Sequence, residues 1–291
     1  MVLRGTLSVT SMVLALYGPV SKPAEARDRL PGDALTAYRA DYTVNLRSRI
    51  FEEAVKATPG RMTIRMYRHL CHSWVTSFEL SLQVRRSDGA EHPLDLFVER
   101  QESMNGRTLR YNTRGVMDGQ QERVKVGKAT RGPGDGGWVH EALPQMERQD
   151  LPADTVFPLM FLKEILAAAR LRRPMVMREV FNTRVGPVTQ LAVTRIGNPL
   201  PGFLRFLPSA DAMAPDLRER TAWPITTSYY DAKVTALVGA SPSSTEEVVI
   251  LEGGVVIGAN LAIQEYQVSA VLDHLDLLPQ ADCDKNLSDG G

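Results

Sequence analysis

The 291-residue chain carries 34 basic and 34 acidic side chains, which give a formal net charge of zero at pH 7. The charges are spread along the sequence without a long block of one sign, which argues against nucleic acid as a partner. Cysteine is rare, with Cys71 and Cys283 as the only two. Composition by itself indicates no chemistry.

The N-terminus has the three parts of an export signal in the expected order. Met1 to Arg4 form a short basic segment, Leu7 to Val20 form an uncharged apolar run, and Ala24 to Ala26 supply a small-x-small cleavage pattern. The apolar run is shorter than the about 20 residues that cross a bilayer. We therefore predict a signal peptide at residues 1–26, with a retained N-terminal helix as the alternative.

Cleavage after Ala26 leaves about 265 residues, a length that one all-β domain can occupy. Loss of Arg4, Lys22 and Glu25 moves the net charge from zero to about −1. No cysteine follows the apolar run, which argues against a lipid anchor, and no transmembrane segment is predicted in the mature chain. We expect a periplasmic or secreted protein whose membrane contacts, where they occur, are peripheral.

Alternating apolar and polar residues dominate the mature sequence and predict β-strands. The longest alternation runs from Trp74 to Val84 and ends at the turn Ser87-Asp88-Gly89. Further strands are predicted at Tyr38 to Leu46, Met62 to Met66, Leu94 to Val98, Thr108 to Thr113, Glu122 to Thr130, Met175 to Phe181, Val188 to Arg195, Ile225 to Asp231, Val248 to Leu251 and Leu261 to Tyr266. This series indicates a mainly β fold with an antiparallel sheet, curled into a barrel or packed as a sandwich.

One segment, Leu151 to Arg173, has helical rather than alternating periodicity. Its apolar residues recur at helical spacing, at Phe157, Phe161, Ile165 and Ala168. Asp154 or Thr155 is expected to cap the start, with Pro158 in the first turn and Pro174 beyond the end. We predict one amphipathic helix inserted against the sheet.

Two stretches lack both periodicities and are predicted as loops or insertions, Gly197 to Arg220 and Gly239 to Thr245. The tail after Cys283 is expected to be disordered. The predicted organisation is therefore a signal peptide at 1–26, one domain at 27–283 and a tail at 284–291.

A cluster of potential metal ligands occurs at His69-Leu70-Cys71-His72. Neighbouring residues of a strand point to opposite faces, and only Asp282 and Asp284 beside Cys283 could complete a site. Because cysteines of exported proteins are more often bridged than metal-bound, we predict no metal site.

The sequence contains no recognisable catalytic motif. Gly132 to Gly137 has a G-x-G-x-x-G spacing, yet no βαβ unit or following helix surrounds it. His140 and Glu141 lack a neighbouring nucleophile, and a hydrolase site assembled in space, with Asp231 as a further member, stays an alternative. We therefore predict a protein that is not an enzyme and has no cofactor.

Aromatic and methionine side chains recur on the predicted strand faces. They include Met62, Met66, Trp74, Phe78, Trp223, Tyr229 and Tyr230. They either fill a core or line a cavity for an apolar ligand, and periodicity does not separate these two arrangements.

Several short motifs follow one another in a characteristic order. They are Gly60-Arg61-Met62-Thr63-Ile64, then Cys71, the segment Leu151 to Pro158, Trp223-Pro224-Ile225, Ser228-Tyr229-Tyr230-Asp231, and Leu275-Asp276-Leu277-Leu278-Pro279 before Cys283. Together they resemble the landmarks of the EipB-type cell-envelope integrity proteins. The resemblance covers residues 35–283.

The resemblance implies a periplasmic protein of Gram-negative bacteria, folded as a long spiral-like antiparallel sheet that curls into a barrel around one inserted helix. It also implies a disulfide between Cys71 and Cys283, and a role in envelope integrity without an established reaction. His69 and His72 beside Cys71, and the insertion at Gly197 to Arg220, depart from the family pattern.

The leading functional hypothesis is a non-catalytic periplasmic factor that binds an envelope protein or an apolar envelope component. The alternatives are a periplasmic lipid or lipoprotein carrier and a hydrolase with a spatially assembled site. A continuous apolar cavity would favour the carrier, whereas a filled core would favour a protein partner.

Overall fold

The computed structural model describes residues 35–49, 56–57, 59–85, 89–117, 122–132, 136–144, 146–183, 189–207, 215–231, 239–263 and 266–280. The predicted signal peptide, the predicted tail and Cys283 lie outside these ranges. Within them, no helix has the length and apolar character that crossing a bilayer requires.

Sixteen strands form one sheet in the described part of the chain. They are β1 (Tyr38–Arg49), β2 (Lys56–Ala57), β3 (Gly60–His69), β4 (Ser73–Arg85), β5 (Glu91–Ser103), β6 (Thr108–Met117), β7 (Arg123–Arg131), β8 (Gly137–Leu143), β9 (Gln149–Leu151), β10 (Met175–Phe181), β11 (Thr189–Ile196), β12 (Leu200–Pro201), β13 (Thr221–Asp231), β14 (Ser244–Leu251), β15 (Val256–Ile263) and β16 (Tyr266–Leu277). Their order across the sheet is β10-β11-β13-β14-β15-β16-β1-β3-β4-β5-β6-β7-β8-β9, with β12 beside β13 and β2 beside β4.

Neighbouring strands are antiparallel throughout this order, and the sheet is strongly curved. Val156, just beyond β9, forms a single parallel bridge with Val180 of β10, the strand at the opposite end of the order. Beyond β10, Thr183 reaches β5 and β6, since its hydroxyl accepts from Arg100 (2.7 Å) and its carbonyl accepts from Thr113 (3.1 Å). The sheet is therefore a barrel-like spiral that does not close edge to edge, which confirms the predicted fold class.

The inner face of the sheet surrounds an apolar core, which consists of one large cluster of buried side chains and a smaller one formed mainly by β6 to β9. On β4, the predicted alternation from Trp74 to Val84 turns every second side chain inward. Met62, Met66 and Trp223 belong to the same core, and Trp74 is completely buried. Two further members of the predicted aromatic set, Phe78 and Tyr229, are partly buried against it. Most of the aromatic and methionine side chains singled out in the sequence thus fill a core.

The inserted helix, α1 (Pro158–Arg170), packs its apolar face into this core. The buried apolar residues of the helix are Leu159, Phe161, Ile165, Leu166, Ala168 and Ala169. As predicted, Pro158 lies in the first turn, where its missing amide hydrogen breaks no helical hydrogen bond. The helix ends four residues before Pro174, which confirms the predicted stop.

The predicted caps of this helix, Asp154 and Thr155, are wrong. No side chain at the N-cap position makes a capping hydrogen bond. Instead the carboxylate of Glu102 on β5 accepts hydrogen bonds from the backbone amides of Leu159 (2.8 Å) and Met160 (3.0 Å). Because a helix leaves its first amides without internal partners, a distant strand supplies the acceptor here.

Three regions differ from the sequence prediction. β8 and β9 were not predicted, and the predicted strand Leu261 to Tyr266 covers the end of β15 and the start of β16. The predicted loop Gly197 to Arg220 contains β12 and two short helices, the 3-10 helix η1 (Phe203–Phe206) and α2 (Pro215–Arg218). These short elements bury Leu204 and Leu217 in the core, so the insertion contributes to the fold.

Candidate functional site

The interior of the described sheet is occupied by packed side chains. Core residues from β1, β3, β4, β5 and β13 to β16 form one cluster with residues of α1, η1 and α2. The ligand sites of known proteins enclose about 300–1,000 Å³ of mostly apolar space. A packed interior of this kind favours a binding site on the outside of the sheet.

A charged group interrupts the apolar inner face where β5 meets the start of α1. Arg100 and Glu102 continue the inward-facing row of β5, and Glu102 and Lys163 of α1 are both buried. Burial raises the pKa of the Glu102 carboxyl to about 7, although its two amide hydrogen bonds and the charges of Lys163 and Arg100 act in the opposite direction. This group fixes the helix to the sheet.

A small pocket of about 120 Å³ lies beside this charged group. Its lining includes Arg100, Phe161, Asn182, Tyr229 and Glu246. The Tyr229 hydroxyl donates to the Glu246 carboxylate across 3.3 Å. The pocket is well below the usual size of ligand sites, so it does not accommodate an acyl chain.

A larger concavity lies on the outer face of the sheet and is called the β3–β6 groove below. It has a volume of about 460 Å³ and contains side chains of both charges. Arg61 and Arg114 stand at β3 and β6, while Glu79 and Asp95 come from the two strands between them. Phe97, which is partly buried, adds an apolar surface. The arrangement suits a polar, mixed-charge ligand.

A second concavity on the same face, the β5–β8 groove, has a volume of about 400 Å³. Its lining includes Glu99, Asn112, Lys128 and the exposed His140. The two grooves adjoin along β5 and β6, because the cross-strand pair Glu99–Asn112 follows the pair formed by Phe97 and its partner on β6. Together they make an extended binding surface across β3 to β8.

The structure separates the three residues named for the hydrolase alternative. His140 is exposed in the β5–β8 groove, whereas its neighbour Glu141 is buried on the opposite face of β8. Glu141 accepts a hydrogen bond from the Tyr111 hydroxyl across 2.9 Å. Burial, followed by this carboxylate, raises the pKa of Tyr111 well above its usual range. Asp231 ends β13 and pairs with Gln190 on β11, away from β8 in the sheet order.

The histidine and cysteine cluster forms the turn between β3 and β4. His69 and His72 are exposed, and the amide of His72 donates to the carbonyl of His69 (3.3 Å). Leu70 and Cys71 have positive φ values of 47° and 59°, which are uncommon for residues other than glycine and here form a tight turn. Within the described ranges, no three histidine, cysteine or carboxylate side chains converge as a metal site would require.

The predicted bridge to Cys283 stays a prediction, because Cys283 lies outside the described residues. The register is compatible with it. Leu277 at the end of β16 pairs with Tyr38, and Tyr38 pairs on its other side with Met66. Adjacent strands lie about 4.8 Å apart, so the segments that lead to the two cysteines both start beside the first residue of β1.

The sequence model of EipB-like proteins matches residues 31–279 of this chain. The chain belongs to the EipB-like family. Its fold is similar to a crystal structure titled as a beta-barrel-like protein of the domain of unknown function DUF1849 from Brucella abortus. That similarity has a TM-score of 0.70, covers 84% of this chain and 99% of the other, and comes with 16% sequence identity. No curated protein matches the chain.

Sequence reasoning did not identify the groove residues or the charged group at Glu102. One signal was present for the latter: the inward row of β5 begins Leu94, Leu96 and Val98 and then continues with Arg100 and Glu102. Charges on the apolar face of a strand need partners inside the fold. The grooves gave no comparable signal, since alternating polar residues also cover any solvent-facing sheet.

Proposed function

We propose that this protein is a non-catalytic factor of the cell envelope that binds another envelope protein along the outer face of its curled sheet. Membership of the EipB-like family associates the chain with the envelope. The observation that carries the proposal is the division between the faces, with a packed core inside and two adjoining grooves outside.

The chemistry of the β3–β6 groove favours a polypeptide over a lipid. Arg61 and Arg114 can pair with acidic side chains of a partner, and Glu79 and Asp95 can pair with basic ones. Phe97 supplies an aromatic contact, and aromatic side chains are enriched at protein interfaces. An acyl chain would satisfy none of these four charges.

The lipid-carrier alternative gains no support from the interior. It calls for a continuous apolar cavity, and the core-facing side chains instead pack against one another and against α1. The small pocket beside Arg100 also has charged and polar groups in its wall. A partner on the outer face accounts for these features without displacing the core.

Site-specific crosslinking tests the proposed surface. A photoreactive amino acid at Phe97 should give one crosslinked protein of defined mass in cells. The same amino acid at Val271, an exposed apolar position on β16, serves as the matched control and should not give it. The double variant Arg61→Glu/Arg114→Glu should abolish the Phe97 adduct. Equal adducts at both positions, or none at Phe97, would contradict the proposal.

We also infer that the protein acts in the periplasm after removal of residues 1–26. The family assignment and the order of charges, apolar run and small residues at the N-terminus support this. N-terminal sequencing of the protein from a periplasmic extract should begin at Arg27. Recovery of the chain only with its intact N-terminus would contradict export by a cleaved signal.

A further inference from the structure

Three loops each expose one large apolar side chain. Leu70 in the β3–β4 turn is 71% exposed, Leu171 after α1 is 64% exposed, and Phe206 at the end of η1 is 81% exposed. These are the highest exposed fractions among the large apolar side chains that the structure describes. Single exposed apolar side chains are ordinary on protein surfaces, so these three carry meaning only if they lie together.

The strand register places the first of these loops at the start of β1. Leu70 directly follows β3, and Met66 of β3 pairs with Tyr38, the first residue of β1. The amide of Met104 in the β5–β6 turn donates to the carbonyl of His72 (2.9 Å), so this neighbouring turn lies at the same end.

Thr36, two residues before β1, connects that end to the other two loops. Its amide donates to the carbonyl of Gly253 (2.8 Å), and its hydroxyl accepts from Arg220 (3.0 Å) at the end of the segment that contains η1. Next to Gly253, Glu252 pairs with Arg170, the last residue of α1 (3.5 Å). All three apolar tips therefore lie at one end of the spiral, which we call the loop end.

Among the described residues, the loop end also carries arginines that form no ion pair. Arg107, Arg172 and Arg173 are exposed, and none of them forms an ion pair with a residue that the structure describes. The nearby described carboxylates of Glu219 and Glu252 are already paired with arginines. Arg172 and Arg173 directly follow the exposed Leu171, so apolar and cationic groups alternate on this loop.

We propose that the loop end docks on an anionic lipid surface. Apolar tips on three separate loops can each enter the lipid interface, and arginines between them can bind lipid phosphates. A protein–protein interface usually has a contiguous apolar centre, and three isolated tips do not form one. Leu35, the first described residue, also lies at this end, where its carbonyl accepts a hydrogen bond from the Gln280 side chain (3.1 Å).

Docking at this end leaves the β3–β6 groove free. Arg61 stands at the start of β3 and Leu70 follows its end, so the two surfaces lie at opposite ends of one strand. The lipid surface goes beyond the proposed partner binding and neither depends on the other.

Vesicle flotation of the purified protein tests the proposal. The protein should float with phosphatidylcholine vesicles that contain phosphatidylglycerol and stay in solution with phosphatidylcholine alone. The bound fraction should fall as salt is added. The variants Leu171→Ser/Phe206→Ser and Arg172→Glu/Arg173→Glu should each weaken binding by about tenfold or more.

Two controls distinguish docking from general effects. Leu143→Ser removes an exposed leucine from the opposite end of the molecule and should bind as the wild type does. Arg61→Glu/Arg114→Glu reverses two charges in the β3–β6 groove and should also float normally, although it loses the crosslinked protein. Absence of flotation with anionic vesicles would overturn the proposal. So would an equal loss in Leu143→Ser, or a change of oligomeric state in the loop variants without a change in flotation.

Discussion

Leu96 and Phe97 are neighbours on β5, yet they lie in different environments. Leu96 points into the core and is 5% exposed, whereas Phe97 points outward into the β3–β6 groove. The same alternation divides every strand from β3 to β6. One face of the sheet therefore builds the fold, whereas the other is free to change its chemistry for recognition.

The largest expected effect is on stability, when Leu96 and Phe97 are replaced by alanine one at a time. Leu96→Ala removes buried contacts and should lower the free energy of unfolding by about 2–5 kcal/mol. Phe97→Ala should lower it by less than about 1 kcal/mol, because outward substitutions leave the core intact. Denaturant unfolding followed by circular dichroism measures both. Similar losses of unfolding free energy in the two variants would show that the outer face contributes to stability as much as the inner face does.

The predicted bridge would link the turn after β3 to the segment after β16, and these two strands flank β1 in the sheet order. In the chain-entropy model a bond between positions 71 and 283 stabilises the fold by up to about 5 kcal/mol, with measured values typically about 2–4 kcal/mol. Cys71→Ser and Cys283→Ser should lower the melting temperature equally, and reductant should lower that of the wild type to the same value. Equal midpoints of wild type and variants under oxidising conditions would show that the cysteines do not stabilise the fold.

Glu102 is a charged residue on the otherwise apolar inner face, and its titration should make the stability of the fold depend on pH. Its pKa of about 7 in the fold lies above the ordinary value of 4.5, so the folded state holds a proton that the unfolded chain has already released between these values. The free energy of unfolding should therefore fall as pH rises from about 4.5 to about 7, by on the order of 3 kcal/mol. Measurement of unfolding across this range tests the sign.

Two matched variants assign this pH dependence. Glu102→Gln should remove the fall, since the amide does not titrate and still offers one acceptor to the helix. Glu99→Gln, which changes an outward-facing glutamate of the same strand, should retain the fall in the free energy of unfolding. A stability that rises with pH over this window in the wild type, or an unchanged fall in Glu102→Gln, would contradict the assignment.

The smallest effect on stability is expected in the β3–β6 groove. Arg61→Glu/Arg114→Glu changes two exposed side chains and should alter the free energy of unfolding by no more than about 0.5 kcal/mol. Binding of the envelope partner should nevertheless fall by at least tenfold, because both partner-facing cations are reversed. Thermal melting and crosslinking at Phe97 measure the two quantities on one preparation. A destabilised variant would show that the groove belongs to the fold.

Period-two alternation was sufficient to predict the central strands and the inner face, because the pairings of β1 with β3 and of β3 to β6 with one another contain no register shift. β16 escaped recognition as a separate strand. Its pairing with β1 contains a shift between Asp41 and Tyr42, which breaks the alternation before Leu275. β8 and β9 were missed because they are short, with seven and three residues.

The site could be predicted less well than the fold. The helix cap joins Glu102 to Leu159, a contact across 57 positions that no local pattern near Asp154 or Thr155 reveals. The β3–β6 groove depends on how far the sheet curves, and curvature is a property of all sixteen strands together. The landmark motifs identified the family because they mark turns and strand ends, and they carry no information about which face binds.

Native mass spectrometry of the protein purified from the periplasm tests the division between the faces most directly. We expect the wild-type protein to appear together with a second polypeptide, and Arg61→Glu/Arg114→Glu to lose that second polypeptide. We also expect the Leu171→Ser/Phe206→Ser variant to retain no acyl lipid, because packed side chains fill the interior of the described sheet. An acyl lipid held by that variant, with no protein partner, would contradict both the filled interior and the proposed partner on the outer face.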